Sequence, residues 1–126
     1  MTGGMRMAIG GQIACPDRPT NAIVGGGGFL FTMQELGTAV ELGLPLPILL
    51  WNNDAFGQIA YGMNKRDIPE LGVRQRNPDY IALARAFGAE AVQPDSLSAL
   101  TDAIGTAFNA KGPTLIEVRE DAPFLS

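Results

Sequence analysis

The chain has 126 residues, 46% hydrophobic and 17% charged, with nine basic against thirteen acidic side chains and a net charge of −4. That balance suits one compact domain, excludes a disordered chain, and gives no positive field to attract nucleic acid or an anionic membrane surface. Cys15 is the only cysteine and there is no histidine, which excludes disulfide frameworks, Cys/His zinc sites and His-assisted nucleophiles. No apolar run approaches the roughly 20 residues that span a bilayer, so a cytoplasmic address is the default expectation.

The first element with a clear signature is Asn21 to Val24, a short apolar run between the turn-forming segment Cys15 to Pro19 and four successive glycines, Gly25 to Gly28. It reads as a buried parallel strand. Thr32 and Glu35 have capping-box spacing, which places a helix start at Thr32, and Leu36, Ala39 and Val40 continue at helical spacing until Gly43 and Pro45 stop it. Pro47 to Trp51 is a second apolar run, closed by the turn formers Asn52, Asn53 and Asp54.

A short helix is expected over Phe56 to Met63, then a polar excursion or lid from Asn64 to Asn77 that holds Lys65, Arg66, Arg74 and Arg76. A helix over Asp79 to Phe87, a strand over Ala89 to Val92, a serine-capped helix over Ser96 to Asn109 and a strand over Thr114 to Val118 complete the series. Alternating strands and helices without an internal repeat give an α/β class, a three-layer α/β/α arrangement with a mostly parallel sheet.

In a βαβ unit both strands run the same way, so the residues just past each one emerge at the same sheet edge. Gly25 to Gly28 and Asn52 to Ala55 therefore converge on the carboxyl rim, where open α/β sheets bind ligands. Glycines let backbone amides approach an anion such as a diphosphate, and a helix opening nearby adds positive dipole character. An asparagine oxygen and a backbone carbonyl are hard donors suited to magnesium, a role that Asn53 and the carbonyl of Ala55 can fill.

The run Ile23 to Leu36, with its glycine block and its Gln34-Glu35-Leu36 triplet, and the pair Asn52-Asn53 together resemble the thiamine diphosphate motif that opens with G-D-G and closes with N-N. Ala8-Ile9-Gly10, Pro16 to Pro19, Asn77-Pro78-Asp79 and Pro113 to Val118 resemble the same family, the acetolactate synthases and 2-oxoacid decarboxylases, so the likeness covers nearly the whole chain. The resemblance implies a thiamine diphosphate- and Mg2+-binding domain. Gly25, Gly26, Gly27, Gly28, Asn53, Ala55, Phe56 and Gly57 would line the cofactor, and Asn53 and Ala55 would hold the metal. It also implies a 2-oxo acid substrate for the intact enzyme, homo-oligomers, and no catalytic side chain within this segment. The phrase from Trp51 through Ile59 looks closest to acetolactate synthase-like decarboxylases, including those acting on guanidino oxo acids.

Three departures qualify that picture. The family's third metal donor is an aspartate 27 positions before Asn53, and this chain has Gly26 there; Asp54 is the only nearby substitute. On sequence alone, Gly26→Asp is expected to strengthen magnesium-dependent binding. Met1 falls where the family is already well inside the domain, so the opening elements, and the other cofactor domain with its ring-activating glutamate, are expected to lie outside these residues. Thr2 and Arg6 stand where the family usually has glycine and proline.

Other motifs fail. Leu30 breaks a G-x-G-x-x-G dinucleotide fingerprint, and no Gly-Lys-Ser/Thr follows the glycines. Glu35 reads as a capping residue, Phe29 and Trp51 as core, Cys15 as inert, and the arginines of the excursion as a solvated face. The alternative from another functional class is a non-catalytic remnant that folds and oligomerises through an exposed sheet edge without tight cofactor binding.

Overall fold

The computed structural model describes residues 3–74 and 76–126, so the readings made of Met1 and Thr2 lie outside the described residues. The chain runs α1 (Gly4–Ala14), β1 (Ala22–Gly25), α2 (Gly26–Leu30), α3 (Glu35–Glu41), β2 (Pro47–Asn52), α4 (Gly57–Asn64), α5 (Tyr80–Ala86), β3 (Glu90–Val92), α6 (Leu97–Phe108) and β4 (Thr114–Arg119). The strands form one parallel sheet in the order β1-β2-β4-β3. Parallel pairing needs a crossover at each connection, and the helices supply it.

Register decides which residues become core. Ala22, Ile48, Leu115 and Ala91 are aligned across the sheet, as are Val24, Leu50 and Glu117, so their side chains share one face. Against that face pack Met5, Ala8 and Ile9 of α1, Phe29 of α2, Leu36 and Ala39 of α3, and Tyr80 and Ala84 of α5. On the opposite face α6 covers β2 and β4 and buries Ile116, while Ile23 stays 72% exposed. The expected three layers are present.

Trp51 is a correction. The period of two puts it on the α6 face with Ile23, at the uncovered end of β2, and it is 40% exposed where the sequence reading made it core. Phe29, read the same way, is fully buried.

The helix expected to begin at Thr32 begins at Glu35, and a separate short helix precedes it. The chain leaves β1 directly into α2, passes through a tight turn over 31–34 and continues as α3. The capping box does not form. The Thr32 amide already bonds the Phe29 carbonyl at 2.8 Å and the Glu35 amide bonds the Thr32 carbonyl at 3.0 Å, so no free amide awaits a cap. Thr32 is buried and donates weakly to the Phe29 carbonyl at 3.5 Å, while Glu35 pairs with Arg6 at 3.3 Å.

The stop signal behaves as read. Gly43 takes φ +60°, its amide bonds the Val40 carbonyl, and the Leu44 amide bonds the Ala39 carbonyl, a Schellman ending that requires the left-handed residue. Asp79 and Ser96 cap α5 and α6 through the amides of Ala82 at 2.9 Å and Ala99 at 3.1 Å. Leu50 lies at the centre of the helix-covered face with no exposed surface. Leu50→Ala should cost about 2–5 kcal/mol in urea denaturation, through lost transfer energy and a residual cavity.

Candidate functional site

Both signature loops leave the same rim. Gly25 is paired with Trp51, so β1 and β2 end side by side and their following residues share one edge of the sheet. The glycine block forms the first turn of α2, whose leading amides have no partner within the helix. The block and the turn after β2 pack closely: a Cβ at position 27 would lie 2.5 Å from the Phe56 ring, and one at position 57 would collide with the Asn53 amide nitrogen. A side chain at 27 or 57 would therefore have to displace the Phe56 ring or the Asn53 carboxamide.

Between the loops lies an open cleft of ≈ 570 Å³, lined by Gly25 to Gly28, by Ala55 to Gly57, and by the apolar side chains Phe31 and Ile59. Every expected cofactor contact except Asn53 lines it, and Asn53 sits over Gly57 at its margin. The loop that carries Ala55 is pinned from below by the Phe56 amide, which bonds the Val73 carbonyl at 2.8 Å. This bond also fixes the return leg of the polar excursion, where Arg74 pairs with Glu70 at 2.6 Å and holds the Glu70 carboxyl below its ordinary pKa, chiefly by that hydrogen bond.

The two asparagines divide the work. Asn52 is buried and its carboxamide makes three bonds: Nδ2 donates to Glu117 Oε1 at 2.7 Å, and Oδ1 accepts from the Asp54 amide at 3.1 Å and from Asn77 Nδ2 at 2.9 Å. These bonds hold Asp54 at φ 52° and turn the chain. The Asn53 side chain has no hydrogen-bond partner among the described residues, so it is available to a ligand.

Behind the glycine block is a second, polar cleft of ≈ 380 Å³ whose walls include Asn52, Asp54, Asn77, Tyr80, Glu117 and Arg119. Sequence reading missed Asn52, Tyr80, Glu117 and Arg119 as site residues; the polar Glu117 within the otherwise apolar run Leu115 to Val118 was the available signal. Asp54 pairs with Arg119 at 3.0 Å, an interaction that a metal would have to compete with. The Arg119 guanidinium, bonded to Asp121 and then to Asp54, is held above its ordinary range. Among the described residues no group of three or more His, Cys, Asp or Glu side chains is placed to hold a metal, and no helix is long and apolar enough to cross a membrane.

Residues 1–118 match the sequence pattern of a family described as thiamine pyrophosphate enzyme, C-terminal TPP binding domain. The chain belongs to this family. Over 117 residues it is 48% identical to a probable 2-ketoarginine decarboxylase of Pseudomonas aeruginosa, covering 92% of this chain and 21% of the relative. Over 114 residues it is 33% identical to an acetolactate synthase of Bacillus subtilis, covering 90% of this chain and 20% of the relative. The solved thiamine diphosphate-dependent 4-hydroxybenzoylformate decarboxylase of Rhodococcus jostii superposes with a TM-score of 0.88 at 28% identity, covering 94% of this chain and 23% of that one. A benzoylformate decarboxylase from Polynucleobacter necessarius, at 23% identity and a TM-score of 0.81 over 92% of this chain and 22% of that one, shares the fold. The chain thus spans about a fifth of the length of the curated relatives it matches.

Two predictions come from the polar cleft. Asn52→Ala strands the buried Glu117 carboxylate and should cost about 2–3 kcal/mol in denaturant unfolding. The Tyr80 hydroxyl is pushed up to about 12, first by burial and then by the charges of Glu117 and Asp54. The unfolded chain therefore loses this proton first, near pH 10, and stability falls as pH rises from about 10 towards 12. Tyr80→Phe should flatten that alkaline limb in unfolding curves collected across this range.

Proposed function

We propose that this chain is the diphosphate-anchoring module of a thiamine diphosphate-dependent enzyme that decarboxylates a 2-oxo acid, as an acetolactate synthase-like decarboxylase or carboligase. The supporting observation is the close approach of the glycine block to the turn carrying Asn53, which leaves a glycine-lined cleft beside a carboxamide with no partner among the described residues. Glycine backbone at 25–28 suits the diphosphate, and Phe31, Phe56 and Ile59 suit the apolar part of the cofactor.

When bound, thiamine diphosphate supplies the carbon chemistry, serving as the electron sink for decarboxylation. The residues of this chain hold and orient it. Asn53 and Ala55 would hold the diphosphate end, and Phe56 would pack against the apolar part of the cofactor. No residue here serves as acid, base or nucleophile. The 48% identity to a protein named for 2-ketoarginine favours a guanidino 2-oxo acid as substrate of the whole enzyme, which would work as a homo-oligomer.

The magnesium donor set is a poorer fit. Asn53 and the Ala55 carbonyl offer two neutral oxygens, Gly26 offers none, and Asp54 is held by Arg119. Magnesium binding leans on carboxylates alongside phosphate oxygens, so its contribution here is small. That shortage favours the second reading, a folded chain that holds no cofactor tightly.

Calorimetric titration with thiamine diphosphate, with and without Mg2+, separates the two. Saturable binding is expected, with Gly27→Ala weakening it at least about tenfold, roughly 1.4 kcal/mol, because the new methyl drives Phe56 into the cleft. A flat trace at millimolar cofactor would favour the second reading, and unchanged binding by Gly27→Ala would place the cofactor elsewhere.

A further inference from the structure

Position 26 is where the family pattern puts a metal-binding carboxylate, and the space beside Gly26 is already filled. A Cβ at 26 would lie 2.7 Å from the Tyr80 hydroxyl oxygen, 3.3 Å from Tyr80 Cζ and 3.4 Å from Asn77 Nδ2. The Tyr80 hydroxyl is buried and has no hydrogen-bond partner among the described residues, which is unfavourable for a hydroxyl. Its ring is 1% exposed and packs edge-on against Phe29, with centroids 6.0 Å apart and planes at 74°. Swinging it aside would unpack the covered face of the sheet. Asn77, the other wall of the corner, is held by Asn52 at 2.9 Å.

We propose that Tyr80 sets the metal dependence of this cradle: glycine at 26 and tyrosine at 80 are a matched pair in which the phenol occupies the volume a metal-binding side chain needs. The corner excludes a divalent cation by shape, and the carboxylates near it are engaged elsewhere, Asp54 with Arg119 and Glu117 with Asn52. Gly26→Asp alone is therefore not a restoration, contrary to the expectation from sequence, because the new Cβ meets the phenol before the carboxylate reaches a metal. Tyr80→Phe removes the 2.7 Å contact and leaves the 3.3 Å one, which a shift of a few tenths of an ångström relieves.

This inference rests on the cofactor reading, and two measurements on the full chain keep them distinguishable. The first titrates thiamine diphosphate, with and without Mg2+, into wild type, Gly26→Asp, Tyr80→Phe and the Gly26→Asp/Tyr80→Phe double variant. Mg2+ should raise the affinity of the double variant at least about tenfold and that of Gly26→Asp less than about threefold. An equal gain in both would overturn the proposal, and so would no Mg2+-dependent gain in a double variant that binds the cofactor.

The second measurement needs no ligand. Gly26→Ala adds only the Cβ, at a helical position where alanine is otherwise the better residue. It should lower the melting temperature by about 5 °C with Tyr80 present and by less than half of that with Tyr80→Phe. Equal drops in both backgrounds would overturn the pairing. If no variant binds thiamine diphosphate, the cofactor reading fails and the melting cycle alone decides the Gly26–Tyr80 pair.

Discussion

The site depends on the buried carboxamide of Asn52. Its bonds to Glu117, to the Asp54 amide and to Asn77 tie the end of β2 to β4, to its own following turn and to the loop before α5. A polar group at the carboxyl end of a central strand would be costly if any of its bonds were missing. With all of them made, the turn has one conformation. Asn53 and Ala55 inherit their positions from that turn, and Phe56 is carried against the glycine block. The cleft is thus shaped from beneath by residues that do not line it.

The fold was largely legible because its signals are local and agree with each other. The apolar runs at Asn21 to Val24, Pro47 to Trp51 and Thr114 to Val118 each became a strand of the parallel sheet, and Asp79, Ser96 and Gly43 marked helix ends where their chemistry requires. The opening helix was invisible for a physical reason. Gly4, Gly10 and Gly11 lower its intrinsic helicity, and it is held by packing of Met5, Ala8 and Ile9 on the sheet. The Thr32 cap was misread because the helical path starts in the glycine block, where propensity argues against it.

The convergence of the glycine block with the Asn52–Ala55 turn was foreseen from strand direction alone, since parallel strands leave no other place for their successors. The partners of Asn52 and the crowding at Gly26 were not. Asn77, Tyr80, Glu117 and Arg119 come from two other parts of the chain, and only tertiary packing brings them together. Trp51 shows the limit in another form: an apolar run signals burial on both faces, yet only one face of β2 is covered at that end.

That uncovered position gives the molecule an optical property. Trp51 is the sole indole of the chain, half in solvent, paired in register with Gly25 and adjacent to Asn52. Its fluorescence therefore reports from the rim of the sheet with no background from other tryptophans. Any occupant that stiffens or displaces the loops on either side should register as a change in emission, without a label.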